Sequence, residues 1–172
     1  MSKKFLREWV ATVVIALVLS LVVRTYIAEA RWIPSESMLP TLKVGDHLLI
    51  DKAYYKLRGL ERGDIVVFQA PPTAQEDKDL IKRVIGLPGE KIAIKDGIVY
   101  INDQPLDESY IFEKPHSDFN AIIIPEDKVF VMGDNRNNSY DSRYWGTLPM
   151  ENIIGKAILL YYPFEHIEVF HD

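Results

Sequence analysis

Fifteen consecutive residues near the N-terminus, Trp9 to Val23 (WVATVVIALVLSLVV), carry no charge. This run constrains the chain more than any other feature. A buried amphipathic helix needs a polar face, and the run has none. On its own it is shorter than the roughly 20 residues that cross about 30 Å of hydrocarbon. Its flanks close the gap: Arg24 can extend its guanidinium toward headgroups, letting Thr25, Tyr26, Ile27 and Ala28 complete the helix, while Trp9 and Tyr26 lie at the two interfaces. Lys3, Lys4 and Arg7 precede the run and hold that end in the cytoplasm, so everything after about residue 30 is expected to face outward. A second reading stays open. Ala28-Glu29-Ala30 has small residues at alternate positions and could end a cleavable signal sequence, although the mature chain would then begin at Arg31.

The charge divides at the same place. Residues 1–31 hold five Lys or Arg against two Glu, a net of +3; the rest hold 15 against 23, a net of −8, giving −5 for all 172 residues. An acidic body argues against nucleic acid as a partner, because phosphate binding needs clustered cations. Cysteine is absent, which removes disulfides, thiolate nucleophiles and cysteine-based metal sites. The expected organisation is a cytoplasmic tip and transmembrane anchor over 1–30 and one extracytoplasmic domain over 31–172.

Beyond residue 31 the pattern is that of short strands. Residues 46–55 (DHLLIDKAYY) and 64–71 (DIVVFQAP) each open on a Gly-Asp pair. KIAIK and IVYIN flank Asp96-Gly97, a preferred two-residue hairpin turn, with Ile92, Ile94, Val99 and Ile101 at alternate positions. Further strands are expected at 121–124, 128–132, 152–162 and 166–170, and residues 70–79 (APPTAQEDKD) read as an exposed loop. The fold class is mainly β.

The chemistry is sought first by elimination. No serine has glycines two before and two after it, and none is followed three residues later by lysine. DNRNNSYD (134–141) has Arg136 and Ser139 where a calcium loop needs a ligand and a glycine. His47, His116, His166 and His171 have no metal-ligand spacing, and no metal or cofactor is expected. What remains is WIPSESMLPTL (32–42), which places Ser35 and Ser37 between Pro34 and Pro40, and DLIKRVIGLPGE (79–90). Strand alternation puts Leu80, Lys82 and Val84 on one face and Ile81 and Arg83 on the other. Apolar neighbours disfavour an ammonium and lower its pKa, so Lys82 could take a proton from a serine hydroxyl near neutral pH. Taken alone, the segment better describes a solvent-facing strand lysine.

Four separated segments change that balance. IPSESMLPTL beside an N-terminal anchor, GDIVVF, IKRVIGLPGE and GDNRNNSYDSRYWG, in this order, resemble the motif boxes of the bacterial type I signal peptidases, across the chain from the anchor to about Gly155. The resemblance implies a signal-peptidase-like antiparallel β-sheet catalytic domain behind a single transmembrane helix. It further implies a membrane-bound serine endopeptidase that removes signal peptides from exported preproteins by a Ser/Lys dyad. By position, Ser37 matches the nucleophile and Lys82 the general base. Ser35 matches a hydroxyl of the oxyanion hole, Ser139 a hydroxyl that orients the lysine amine, and Arg83, Asp134, Asp141 and Arg143 a set of structural charges. The family's taste for small residues at the first and third positions before the cut implies shallow pockets, for which Ile33, Met38, Leu42 and Ile81 are candidate walls or ordinary core. Glu36 stands where glycine is common, and Asn137 where aspartate is often seen. The implied partners are signal peptides of secretory preproteins, the lipid bilayer of the cell membrane and, by proximity, the export translocase; Trp32 is expected to help seat the domain on lipid. Two rival readings are a cytosolic self-cleaving peptidase and an anchored β domain that only binds.

Overall fold

The computed structural model describes residues 3–170. Helix α1 (Lys3–Val22) runs into a wider helical turn over Val23–Ile27, and the stretch Arg7–Ile27, 21 residues, is long and apolar enough to cross a membrane. At 1.5 Å per residue it spans about 30 Å. None of it is buried against the rest of the chain, and Trp9 and Tyr26 are exposed near its two ends. Strand β1 (Ala28–Trp32) starts at once, so Ala28, Glu29 and Ala30, expected within the anchor segment, already pair with β2 (His47–Asp51).

The expected hydrophobic runs become β3 (Ile65–Gln69), β4 (Asp79–Gly86), β5 (Lys91–Lys95), β6 (Ile98–Ile101), β7 (Gln104–Pro105), β8 (Phe119–Ile123), β9 (Lys128–Met132), β10 (Leu148–Pro149), β11 (Ile153–Tyr162) and β12 (Glu168–Val169). The larger sheet has the order β1-β2-β11-β3-β4-β9-β10, with β12 also on β11; the smaller has the order β7-β6-β5-β8, and every pairing is antiparallel.

Side-chain alternation explains the layers. In β3, Val66 and Phe68 enter a core with Val84, Val131, Trp145 and Leu148, whereas Ile65 and Val67 enter another with Ile33, Met38, Leu48 and Ile81. A strand covered on both faces reads as a continuous apolar run, which is what IVVF is. The smaller sheet is one-faced: Ile92, Ile94, Val99 and Ile101 point into a third core with Ile85 and Phe130. Its hairpin turns at Asp96 and Gly97, both with positive φ (52° and 73°), a geometry that glycine adopts without strain.

Several boundaries differ from the sequence reading. The strand expected over 46–55 ends at Asp51, whose carboxylate accepts from Ala53 N at 3.0 Å; that local bond turns the chain out of the sheet and into the short helix α2 (Tyr54–Arg58). The loop over 70–79 is only partly exposed, because Ala70, Pro71 and Ala74 are buried, with Ala70 and Ala74 packed in the core beside Trp145. The strand expected over 166–170 shrinks to Glu168–Val169, since Phe164–His166 is a tight helical turn.

The connectivity leaves a gap that positions the site. Four antiparallel steps make β1 and β4 parallel to each other. Among the described strands, β1 has a neighbour on one side only, and β9 pairs with β4 only from Arg83 onward, leaving Asp79–Lys82 open on that side. Ile33, just past β1, and Ile81 of β4 nevertheless share one core. The sheet therefore curls so that two free edges face each other.

Candidate active site

The chain leaves β1 through Ile33, whose backbone pairs with Gly45 and Asp46, and then makes a tight turn that carries Ser37. Met38 and Leu42 anchor that turn in the core at 0% exposure, and Leu42 N donates to Met38 O at 2.9 Å. Ser37 itself is buried, with its carbonyl accepting from Asn135 N at 3.1 Å. The segment is thus held at both ends of the nucleophile candidate, from below by packing and from the side by the 133–145 loop.

Lys82 arrives from β4, 45 residues away in sequence. Its Nζ is 2.7 Å from Ser37 Oγ and also donates to Ile81 O at 2.8 Å. Lys82 is 3% exposed, and burial lowers its pKa from 10.5 to about 8, against the opposing pull of Asp141, Glu76 and Asp134. A substantial fraction of neutral amine therefore exists slightly above neutral pH, in contact with a hydroxyl. Ser35 Oγ lies 3.3 Å from Ser37 Oγ, on the same turn.

Beneath this pair is a charge network. Arg83 grips Asp134 with two bonds, Nε to Oδ1 at 2.8 Å and Nη2 to Oδ2 at 2.6 Å, and its Nη1 donates to Gly63 O. Thr41 Oγ1 adds a 2.6 Å bond to Asp134 Oδ2. Asp141 is fully buried and accepts from Gly133 N, Ser139 Oγ and the Arg143 side chain; it also opens the short helix α3 (Ser142–Trp145) by accepting from Arg143 N. Two buried carboxylates, each with an arginine partner, fix the loop to the sheet without leaving an uncompensated charge.

Ser139 departs from the expectation of a hydroxyl on the lysine amine. Its Oγ donates to the buried Asp141 Oδ2 at 2.6 Å, while Lys82 Nζ donates to Ser37 Oγ and Ile81 O. Ile33, Met38, Leu42 and Ile81 are brought together in one core, Met38 and Leu42 fully buried and Ile33 and Ile81 keeping a small exposed remainder of 2% and 7%. Glu36 is exposed beside the site, with Oε2 at 3.5 Å from Asn138 Nδ2. Asn137 ties the loop to 114–116 by accepting from His116 N and donating to Lys114 O. The histidines are scattered: His47 packs on Tyr161 and Tyr162, His116 lies near Glu113, His166 near Lys43, and His171 lies outside the described residues.

Sequence reasoning missed five contributors. Thr41 completes the Asp134 cluster. Gly133 has no room for a Cβ, which would overlap Ser139 and the Ser37 carbonyl. Arg136, with a side chain at 0% exposure, makes a two-bond pair with Glu108, and Tyr110 lies under the Arg83 guanidinium at 4.2 Å. Glu108 sits in a polar stretch that reads as loop, and its partner is 28 residues away.

The family described as "Signal peptidase, peptidase S26" matches residues 6–162. "Probable signal peptidase I-1" of Synechocystis sp. (strain ATCC 27184 / PCC 6803 / Kazusa) is 48% identical over 165 residues, covering 93% of this chain and 84% of the relative. "Signal peptidase I" of Leptolyngbya laminosa is 47% identical over 163 residues, covering 92% and 80%. A crystal structure of a signal peptidase I from Enterococcus faecalis V583 superposes with a TM-score of 0.50 at 33% identity, covering 56% of this chain and 95% of that one. With a match that runs from the apolar helix to the end of β11, the chain belongs to the signal peptidase family, peptidase S26, and is an enzyme of that family.

Proposed function

We propose that this signal peptidase cuts preproteins by a Ser37–Lys82 dyad through an acyl-enzyme. The observation that carries the reading is the 2.7 Å contact between Lys82 Nζ and Ser37 Oγ at a buried, partly deprotonated lysine. Neutral Lys82 accepts the Ser37 proton as Oγ attacks the scissile carbonyl. The oxyanion is received by the Ser37 N–H and the Ser35 hydroxyl, whose oxygen is 3.3 Å from Ser37 Oγ. Lys82 then returns the proton to the leaving amine, the mature protein departs, and Lys82 deprotonates the water that hydrolyses the ester and frees the signal peptide. Ser139 acts at one remove, by fixing Asp141, whose charge holds the Lys82 pKa up against burial. Arg83, Asp134 and Arg143 are structural.

The substrate lies in extended form between the facing edges of β1 and Asp79–Lys82, adding a strand to each. A peptide whose apolar core remains in the membrane enters from the α1 end and runs parallel to both edges, its cut site arriving at Ser37. Its inward side chains reach the Ile33 and Ile81 layer, where limited space favours Ala-X-Ala sites. The anchor is retained rather than removed, because Ala28, Glu29 and Ala30 supply three of the five residues of β1. The orientation is cytoplasmic at the N-terminus, with the 31–172 catalytic domain outside the cell membrane, near the translocase that delivers preproteins; the exposed Trp32 seats the domain on lipid.

Cleavage of an Ala-X-Ala preprotein by the detergent-solubilised chain, alongside Ser37→Ala and Lys82→Ala, tests this. Cutting after the second Ala that both substitutions abolish is expected. A folded protein inert toward several such preproteins would favour the anchored binding domain instead.

A further inference from the structure

The two free edges are not independent. Arg31 of β1 and Asp79 of β4 form an ion pair directly across the gap, Nη1 to Oδ2 at 2.7 Å. An Arg and an Asp side chain end to end are enough to bridge the about 10 Å between two strands with a third between them. Glu29 Oε1 also lies 3.0 Å from Arg31 Nε, a charge contact without hydrogen-bond alignment, and Glu29 Oε2 accepts from Lys52 at 3.0 Å, so the guanidinium sits between carboxylates of its own strand and of β4. By alternation Arg31 shares a face with Ile33, and Asp79 with Ile81. The ion pair is therefore the next layer out from the Ile33–Ile81 layer, two residues back along both parallel edges.

We propose that the Arg31–Asp79 pair forms the inner wall of the subsite for the third residue before the cut and selects short, hydroxyl-bearing side chains there over apolar ones of equal size. The inference rests on the binding mode given above. A substrate parallel to both edges steps in register with them. Its first residue before the cut points at Ile33 and Ile81, and its third points at Arg31 and Asp79; the second points outward. An aliphatic side chain at the third position removes water from both charges and returns nothing. A hydroxyl can donate to Asp79 Oδ1, which has no partner among the described hydrogen bonds, and leave the ion pair intact.

Threonine and valine have nearly the same shape, so the pair isolates the hydroxyl. The full-length chain in detergent is assayed with one preprotein carrying Ala, Thr or Val at the third position before the cut, and separately with Thr or Val at the second. The expected result is a kcat/KM for Thr over Val of about tenfold at the third position, the order set by a hydrogen bond to a charged group. At the outward second position the ratio should be near one. Replacing both partners with apolar residues, Arg31→Met with Asp79→Leu, should erase or invert the third-position preference, read as a ratio within the variant and so independent of its overall rate. Equal rates for Thr and Val in the unmodified enzyme would overturn the inference, as would a preference that survives in the double variant. Robust cleavage of the Ala substrate, lost on Ser37→Ala, shows that the parent reading stands while only the subsite assignment fails. Absence of any cleavage would remove both.

Discussion

Replacing Lys82 with methionine should abolish activity and, below pH 8, make the protein more stable. Lys82 is 3% exposed and its pKa falls from 10.5 to about 8 on folding. At about 1.4 kcal/mol per pKa unit, keeping its ammonium in that site costs about 3 kcal/mol relative to the neutral amine. The sign follows from proton binding: between pH 8 and 10.5 the unfolded chain holds the Lys82 proton and the folded chain does not, so stability rises with pH across that window. The penalty is present in full below pH 8 and gone above about 10.5. Methionine keeps the length and burial of the side chain without the charge, and forgoes the bonds to Ser37 Oγ and Ile81 O, worth about 1 kcal/mol each. Urea unfolding of both proteins in detergent, followed by fluorescence of the buried Trp145, should give a stability difference that favours Lys82→Met at pH 7 and declines by about 3 kcal/mol by pH 10.5. A difference that stays constant with pH would refute the claim that Lys82 is held in its depressed state by burial.

The rate of cleavage should climb about tenfold per pH unit below pH 8 and level off above it, because only the neutral amine accepts the Ser37 proton; a flat kcat/KM profile down to pH 5 would count against Lys82 as base. Gly133→Ala should lower kcat/KM by about 100-fold with the circular dichroism unchanged, since a Cβ there displaces both Ser139 and the Ser37 carbonyl and a shift of about 1 Å is enough to spoil attack. Glu108→Ala leaves the fully buried Arg136 guanidinium without its carboxylate and should destabilise the fold by about 3–5 kcal/mol in urea titrations, with Glu108→Gln milder.

What could be read from the sequence was what neighbouring residues decide among themselves. The uncharged run from Trp9 to Val23 makes a helix, and the Asp96-Gly97 hairpin forms with its alternating Ile and Val inward, because each needs only a few adjacent residues. The alternation in β4 separated Leu80 and Val84 from Ile81, which enter two different cores. The burial and low pKa of Lys82 were a different matter, since they come from the Ser37 turn packed over it from 45 residues away. Likewise the Arg136–Glu108 pair and the curl that brings Arg31 to Asp79 depend on tertiary contacts that leave no local pattern. Ser139 was singled out at the right loop, but which acceptor its hydroxyl takes is set by the buried Asp141.

Helix, wider turn and strand follow one another without a loop, from Val22 through Ile27 to Ala28, and Lys52 N bonds back to Ile27 O at 2.9 Å. There is no slack. From Ala28 to Ile33 an extended chain covers about 17 Å at about 3.3 Å per residue, so the height of Ser37 above the end of the anchor is measured out by a rigid ruler. With Ser37 as the proposed nucleophile and α1 across the bilayer, a substrate held by its own apolar helix would present to the serine only residues a fixed distance beyond that helix, so position along the preprotein would be chosen by geometry before any side chain is read.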